Sequence, residues 1–190
     1  MDCRRIIAFP SLRRRLVATG LARLREAGAL TDVKGVVGGE SSGIALAAWI
    51  ADSLELPLHY VRKKAAGQSQ VEGALTAGEK VLLVDDMVAA GNSKVRFIRA
   101  LHAEAAKVSD VFVVFDYGTF GNDELLRPFG VTLHALADWN DVLAVARELP
   151  EGGGGVSAAG LDELQEFVAD PSAWSLNHGG FGRQPADEPT

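Results

Sequence analysis

Residues 80–94 read KVLLVDDMVAAGNSK, an apolar run that stops at two adjacent carboxylates, Asp85 and Asp86. A short apolar run bounded by turn residues predicts a buried strand. The following segment, NSKVRFIRALHAEAA, predicts a helix whose inner face carries Val95, Ile98, Leu101 and Ala105. Asn92 or Ser93 is expected to cap that helix. A strand, a short loop and a helix in succession indicate an α/β fold.

The two acids and the loop after them suggest a site for an anionic ligand. Neighbouring strand residues point to opposite faces, so Asp85 and Asp86 are not expected to act as a side-by-side pair. At the end of a strand, however, both can lean over the rim of the sheet. Free N–H groups in the small loop and at the helix N-terminus favour a phosphate. The segment therefore predicts a sugar-phosphate site, and its alternative is a strand end with solvated acids and a capped helix.

The same alternation of strands and helices extends along the chain. The predicted strands are VKGVVGG, PLHYVRKK, KVLLVDD, DVFVVFDYG and VTLHALAD, and the helices are LRRRLVATGLARLREAG, SSGIALAAWIADSLEL, NSKVRFIRALHAEAA, NDELLRPFG and WNDVLAVARE. We therefore predict an α/β fold with a parallel five-stranded sheet flanked by helices. Ligands of such sheets bind outside the carboxyl ends of the strands. That rule places GGESSG, RKKAAGQ, DDMVAAGNS and DYGTFG on one rim.

The chain is expected to have two parts. Residues 1–150 form the predicted core domain, and EGGGG at 151–155 is a flexible break. In the second part, residues 151–190, LDELQEFVADPSAW predicts one small helix, and the last residues, NHGGFGRQPADEPT, are expected to be disordered.

Composition narrows the class of protein. The chain has 190 residues, a net charge of −6 and a pI of about 5.2, which argues against broad nucleic-acid binding. Its single cysteine, Cys3, favours a reducing compartment. No apolar stretch approaches the length of a membrane span, and the N-terminus lacks the apolar core of a signal peptide. We expect a cytoplasmic protein that binds neither membranes nor nucleic acid.

The residues quoted above resemble those of type I phosphoribosyltransferases. VLLVDDMVAAGNS is similar to their motif for phosphoribosyl pyrophosphate (PRPP), and VVGGESSGIALAAWIADSLELPLHYVRKK resembles the pyrophosphate loop, helix and strand of orotate phosphoribosyltransferases. QVEGAL resembles the strand that closes their catalytic loop. DCRRIIAFPSLRRRL and FVADPSAWSLNHGG resemble a long bacterial form of that enzyme. The likeness runs from about residue 2 to residue 178.

The resemblance implies an orotate phosphoribosyltransferase, in which orotate attacks C1 of PRPP and pyrophosphate leaves. Mg²⁺ is the implied cofactor, no side chain is expected to ligate a metal, and catalysis rests on positioning and charge. The implied catalytic residues are Lys63, Lys64, Asp85 and Asp86, of which the two acids hold the ribose hydroxyls. The implied PRPP-binding residues are Gly39, Glu40, Ser41, Ser42, Gly43, Arg62, Lys63, Asp85, Asp86, Met87, Val88, Ala89, Ala90, Gly91, Asn92 and Ser93. Orotate would contact Ala89 and Tyr117, and a homodimer is implied because Arg62 would serve the neighbouring subunit's site.

The sequence departs from the family's pattern at four places. Ala89 and Ala90 stand where two threonines are usual, and Ala66 stands near the position of a lysine in a longer mobile loop. Lys64 is the nearby substitute for that lysine. Tyr117 matches an arginine that often contacts orotate. Because the chain starts at Met1, just before DCRR, the family's N-terminal hood is expected to be missing.

Two other classes of function compete with this interpretation. Gly39 to Gly43 fits the G-x-S-x-G nucleophile elbow, so a hydrolase with Ser41, Asp116 and His134 is one alternative. The other is a catalytically weakened, phosphoribosyltransferase-like protein that binds nucleotides and regulates. His59 and His134 lie inside predicted strands, and we expect both to be packed or hydrogen-bonded rather than to bind a ligand.

Overall fold

A computed structural model describes residues 3–67, 69–118, 121–149 and 156–180. Within them, one compact unit ends at Asp138 and a second begins at Trp139. The flexible break expected at residues 151–155 and the end of the expected disordered tail lie outside the described residues, so the domain boundary at 150/151 stays a prediction. No helix in the described ranges is both long enough and apolar enough to cross a membrane.

The first unit is built on a single sheet. Its strands are β1 (Gly35–Gly39), β2 (Leu58–Ala66), β3 (Ser69–Glu72), β4 (Lys80–Val88), β5 (Lys107–Asp116) and β6 (Thr132–Ala137). Their order is β3-β2-β1-β4-β5-β6, and every pairing is parallel except that of β2 with β3. The predicted parallel sheet is confirmed, but its count of five strands is wrong. The sixth strand, β3, is a short antiparallel edge that returns from β2.

Helices cover both faces of this sheet. They are α1 (Pro10–Glu26), α2 (Ser42–Leu54), α3 (Asn92–Ala103) and α4 (Asn122–Leu126), with 3₁₀ turns at Cys3–Ala8 and Arg127–Phe129. Leu24 of α1 and Ile50 of α2 are buried in one apolar cluster with β1 and β4. Ile98 and Leu101 of α3 belong to the cluster on the opposite face. Two buried faces explain why β1 and β4 read as continuous apolar runs.

The second unit contains α5 (Trp139–Glu148), α6 (Ala158–Ala169) and α7 (Pro171–Asn177). The prediction of one terminal helix is wrong because the chain turns at Asp170. The Asp170 side chain accepts a hydrogen bond from the N–H of Ala173 at 2.9 Å, and Pro171 occupies the first helical position of α7. An N-cap followed by proline begins a new helix.

Candidate phosphoribosyl-binding site

The sheet order brings the predicted rim segments together. Strands β2, β1, β4 and β5 are neighbours, and all four run in the same direction. Their carboxyl ends are Ala66, Gly39, Val88 and Asp116. The predicted rim segments therefore lie at one edge of the sheet, where parallel sheets bind ligands. They are GGESSG, RKKAAGQ, DDMVAAGNS and DYGTFG. Residues 119 and 120 of the DYGTFG segment lie outside the described residues.

The acid pair lies inside strand β4 rather than at its end. The strand continues to Val88, with Asp85 opposite Val113 and Val88 opposite Asp116. Both acids are buried, at 5% and 6% exposure. The expectation that both lean freely over the rim is wrong for Asp85, whose Oδ1 accepts the N–H of Asp86 at 2.9 Å. Burial raises the pKa of the Asp85 carboxyl, and the ammonium of Lys94 opposes that shift.

Lys94 is a site residue that the sequence interpretation missed. It is 3% exposed, and its Nζ forms a buried ion pair with Oδ2 of Asp85. A signal was present, because Lys94 precedes Ile98 by four residues and Leu101 by seven, the spacing of one helix face. A lysine on the inner face of a helix needs a buried partner, and Asp85 supplies it.

The segment after β4 forms a short turn that leads into α3. Gly91 has φ of 71° and is the N-cap of α3, and neither Asn92 nor Ser93 caps it with a side chain. The capping prediction is therefore wrong, since Asn92 and Ser93 occupy the first turn of the helix. Glycine is favoured at 91 because L side chains rarely adopt this positive φ, and a Cβ would also lie 2.5 Å from Leu125 Cδ2. Ala89 and Ala90 precede this turn and are half-buried.

Hydrogen bonds also join the end of β5 to α4 and to the end of β4. Asp116 Oδ1 accepts hydrogen bonds from Asn122 Nδ2 at 2.7 Å and from the N–H of Gly118 at 2.9 Å. The N–H of Tyr117 donates to the carbonyl of Val88 at 2.9 Å. The DYG segment and the end of β4 are thus joined by backbone, which brings Tyr117 to the acid-pair segment. Burial raises the pKa of the Tyr117 phenol, with a smaller contribution from Cys3, so the side chain is neutral at physiological pH.

The segment Gly39 to Gly43 connects β1 directly to α2. The N–H of Glu40 donates to the carbonyl of Val61 at 2.9 Å, and its Oε2 accepts the N–H of Lys63 at 2.6 Å. The peptide bond between Glu40 and Ser41 is cis. Ser41 is exposed, Ser42 begins α2, and a Cβ on Gly43 would lie 2.5 Å from the carbonyl oxygen of Val84. The helix start therefore lies against the strand that carries the acids.

The basic segment is a hairpin rather than a loop. Strand β2 runs through Arg62, Lys63 and Lys64 to Ala66, and β3 starts at Ser69. Lys63 and Lys64 are exposed, as a contact with a ligand requires. Arg62 instead donates from Nε to Oε1 of Glu72 in the same chain at 2.8 Å. The strand predicted through Lys64 is thus confirmed, and it continues to Ala66.

The hydrolase alternative has no triad in this fold. His134 Nε2 is bonded to Asp110 Oδ1 at 2.8 Å, and Asp116 is bonded to Asn122. Strands β4 and β5 separate β6 from β1, which at ~4.8 Å per strand puts His134 about 14 Å from the strand that leads to Ser41. His134 is hydrogen-bonded as expected, and His59 is buried by packing.

A groove of about 430 Å³ lies away from the rim, between α1 and α2. Its lining includes Arg13, whose guanidinium lies 4.6 Å from the centre of the Trp49 ring. Trp49 is seven residues beyond the start of α2, roughly 10 Å along that helix. We therefore build the candidate site on the strand ends and not on this groove.

Comparison with known proteins agrees with this geometry. The family described as "Phosphoribosyl transferase domain" matches residues 16–121, a range that includes every predicted site residue. The chain belongs to this phosphoribosyltransferase family.

Similar proteins narrow the class further. Proteins named orotate phosphoribosyltransferase from Cereibacter sphaeroides (strain KD131 / KCTC 12085) and Dinoroseobacter shibae are 38% and 39% identical to this chain over 192 and 183 residues. These matches cover 98% and 94% of this chain and 78% and 79% of those proteins. The crystal structure of orotate phosphoribosyltransferase from Aeropyrum pernix matches with a TM-score of 0.68 and 29% identity, over 79% of this chain and 84% of that one.

Proposed function

We propose that this chain is an orotate phosphoribosyltransferase, which transfers ribose 5-phosphate from PRPP to orotate. The observation that carries the proposal is the placement of Asp85 and Asp86 in the last four residues of β4, with the Gly91 turn directly after that strand. Acids suit ribose hydroxyls, and backbone N–H groups at a helix start suit a phosphate. The named relatives support orotate as the acceptor.

The proposed PRPP site follows the strand ends. Asp85 and Asp86 hold the ribose within the segment that continues through Met87 and Val88. The 5′-phosphate lies against the turn after β4, in the segment Ala89, Ala90, Gly91, Asn92 and Ser93. Pyrophosphate faces the start of α2, in the segment Gly39, Glu40, Ser41, Ser42 and Gly43. Support comes from Gly43, whose missing Cβ lets the start of α2 pack against the Val84 carbonyl and Asp85.

The chemical step needs charge and position more than proton transfer. A nitrogen of orotate forms a bond to C1 as the bond from C1 to the pyrophosphate oxygen breaks. Lys63, and Lys64 as the substitute for the missing loop lysine, stabilise the leaving pyrophosphate. Both side chains are exposed in the last four residues of β2, and the backbone N–H of Lys63 is bonded to Glu40, which precedes α2. Holding the two substrates in line supplies the rest of the catalysis.

Magnesium fits as part of the PRPP complex. The described residues contain no cluster of three or more His, Cys, Asp or Glu side chains that could hold a metal. Mg²⁺ commonly binds through substrate phosphates and keeps its waters. When bound, it would offset charge on the pyrophosphate.

Orotate is proposed to lie between Ala89 and Tyr117. The hydrogen bond from Tyr117 N–H to the Val88 carbonyl brings these two segments together. Tyr117 is neutral and can donate one hydrogen bond, whereas an arginine would pair with the orotate carboxylate through two. We therefore expect weaker orotate binding than an arginine would give. The proposed setting is the cytoplasm, and the proposed assembly is a homodimer.

Pyrophosphate release tests this proposal. We expect slow, orotate-dependent release from PRPP, because a missing electrostatic donor costs on the order of 100-fold in rate. The variant Ala66→Lys, Ala89→Thr, Ala90→Thr should be faster, since it restores a cation and two hydroxyl donors. The same three changes assayed with adenine in place of orotate are the control for acceptor choice. No orotate turnover in either protein would reject the enzyme and favour the nucleotide-binding alternative.

A further inference from the structure

Lys94 lies in an unusual position for a lysine. It is in the first turn of α3, is 3% exposed, and approaches Ser93 Oγ at 3.4 Å as well as Asp85. A cation in the first turn of a helix opposes the helix dipole, and lysine is rarely buried without a partner. Neither helix stability nor solvation explains why a lysine is buried at this position, so we look for its role in the ion pair with Asp85.

Asp85 needs this partner because of its surroundings. Gly39 and Gly43 pack so closely that a Cβ on either would lie 3.2 and 2.9 Å from its carboxylate oxygens. These glycines of β1 and α2 bring no charge. Asp86, the neighbour in β4, brings a like charge, and Lys94 of α3 brings the opposite one. Among the described residues, Lys94 is the cation paired with this carboxylate.

We propose that Lys94 is a positioning residue of the PRPP site, which keeps Asp85 ionised and fixes its carboxylate beside the phosphate turn. This inference rests on the proposed function, because it concerns how the acid pair receives the ribose. The pair also joins β4 to the first turn of α3. The hydroxyl acceptor and the phosphate-binding backbone are thereby held in one geometry, in a loop where Ala89 and Ala90 supply no hydroxyls.

Removal of the ammonium has a consequence for pH. In Lys94→Met, Asp85 stays buried beside Asp86 without a cation, so the pKa of its carboxyl rises beyond its already raised value. Below that pKa the group is protonated and is a weaker acceptor for ribose hydroxyls. PRPP binding by Lys94→Met should therefore be weak at low pH and recover as pH rises. Lys94→Arg keeps a cation and should retain most of the binding.

The test is calorimetric titration of Mg²⁺–PRPP into each protein at a series of pH values between about pH 6 and about pH 9. The affinity of each variant is divided by that of the wild type at the same pH, which cancels the ionisation of PRPP itself. Lys94→Met should bind at least about tenfold more weakly at the acid end, with the ratio approaching one as pH rises. Arg96→Met, an exposed cation two residues along α3, is the matched control and should match the wild type throughout.

The outcomes separate two failures. If the wild type does not bind PRPP, the proposed function fails and the role of Lys94 fails with it. If the wild type binds and Lys94→Met binds equally at every pH, only the inference about Lys94 is overturned. If Lys94→Met does not fold, adding Asp85→Asn should restore folding because the uncompensated charge is removed. Failure of that double variant to recover would also overturn the inference.

Discussion

His59 shows what a single buried residue can do to the pH response of the whole chain. It is 2% exposed in β2, and neither ring nitrogen has a hydrogen-bond partner among the described residues. A Cβ on Gly35 would lie 3.0 Å from its Nε2, and one on Gly73 would lie 2.5 Å from its Nδ1. The two glycines therefore make room for the ring. Burial lowers the pKa of His59 below its ordinary value of 6.5, although the carboxylate of Glu79 opposes the shift.

We predict that the free energy of unfolding falls at acid pH and that this dependence on pH is weaker in His59→Gln. Between the folded pKa and 6.5, the unfolded chain binds more protons than the folded one, so stability is full above that window and falls as pH falls through it. The slope attributable to His59 is at most about 1.4 kcal/mol per pH unit. Urea unfolding across this range measures it, with His102→Gln, on the exposed surface of α3, as control. Equal slopes for wild type and His59→Gln would contradict the prediction.

Candidate site residues could be predicted from the sequence where they lie close together along the chain. They could not be predicted where a tertiary contact between distant residues brings them together. The acids and the small loop after them were singled out from the order of consecutive residues, and the segment Gly39 to Gly43 was singled out from its resemblance to the family; their roles stay predictions. The Lys94–Asp85 pair joins residues nine positions apart on different elements, and only helix periodicity hinted at it. We expected Asn92 or Ser93 to cap α3 with a side chain. Gly91 is the N-cap instead, and its positive φ starts the helix one residue earlier.

At the level of whole elements, the packing of helix α2 against strand β4 brings the rim segments together. Gly43 lies in the first turn of α2, where a Cβ would lie 2.5 Å from Val84 O and 2.9 Å from Asp85 Cα. Backbone atoms cannot move aside as a flexible side chain can. Close approach at this point is what brings the pyrophosphate-like segment to the acids.

Gly43→Ala should therefore destabilise the fold. Overpacking against backbone typically costs about 1–3 kcal/mol, and we expect a loss of free energy of unfolding in that range. Ser53→Ala, an exposed change near the other end of the same helix, should stay within about 0.5 kcal/mol of the wild type. Urea titrations of both variants make the comparison. A Gly43→Ala protein as stable as Ser53→Ala would mean that α2 does not begin against β4 as described.

Elements were predicted well where apolar periodicity is long. Helices α1, α2 and α3 and strands β1, β5 and β6 lie where the pattern put them. Two strand ends were missed by two residues, because strand pairing decides them: β4 continues past the predicted end at Asp86 to Val88, and β2 continues past the predicted end at Lys64 to Ala66. Ala105, expected on the inner face of α3, lies beyond its end with φ of 57° and is exposed.

The sheet order is the feature of the whole molecule that turns separate motifs into one site. Four neighbouring parallel strands bring the predicted segments to one edge; the parallel direction followed from the alternation of strands and helices, whereas the strand order was not predicted. The antiparallel β3 did not follow from the residue pattern, because it has only four half-buried residues, but its overlap with QVEGAL agrees with the strand implied by the resemblance to the family. Assembly likewise depends on a second copy of the chain, which the sequence pattern does not reveal.

We predict a homodimer in which Arg62 acts on the neighbouring site. Arg62→Ala and Asp85→Asn, Asp86→Asn should each be inactive alone. If Arg62 acts across the interface, a mixture after subunit exchange should regain up to about a quarter of wild-type activity, since half the dimers are mixed and each mixed dimer has one intact site. Light scattering at micromolar concentration checks the dimer itself. A monomer, or no recovery on mixing, would leave Arg62 paired with Glu72 in its own chain.

Calorimetric titration of Mg²⁺–PRPP into the wild type and into Asp85→Asn, Asp86→Asn tests the central claim, that the acid pair of β4 holds the ribose of PRPP. The control is Asp52→Asn, Glu55→Gln, which removes the same charge from exposed positions at the far end of α2. We predict that the wild type and the control bind PRPP alike and that the acid-pair variant, still folded by circular dichroism, loses binding. Equal affinity in all three proteins would contradict this assignment of the site.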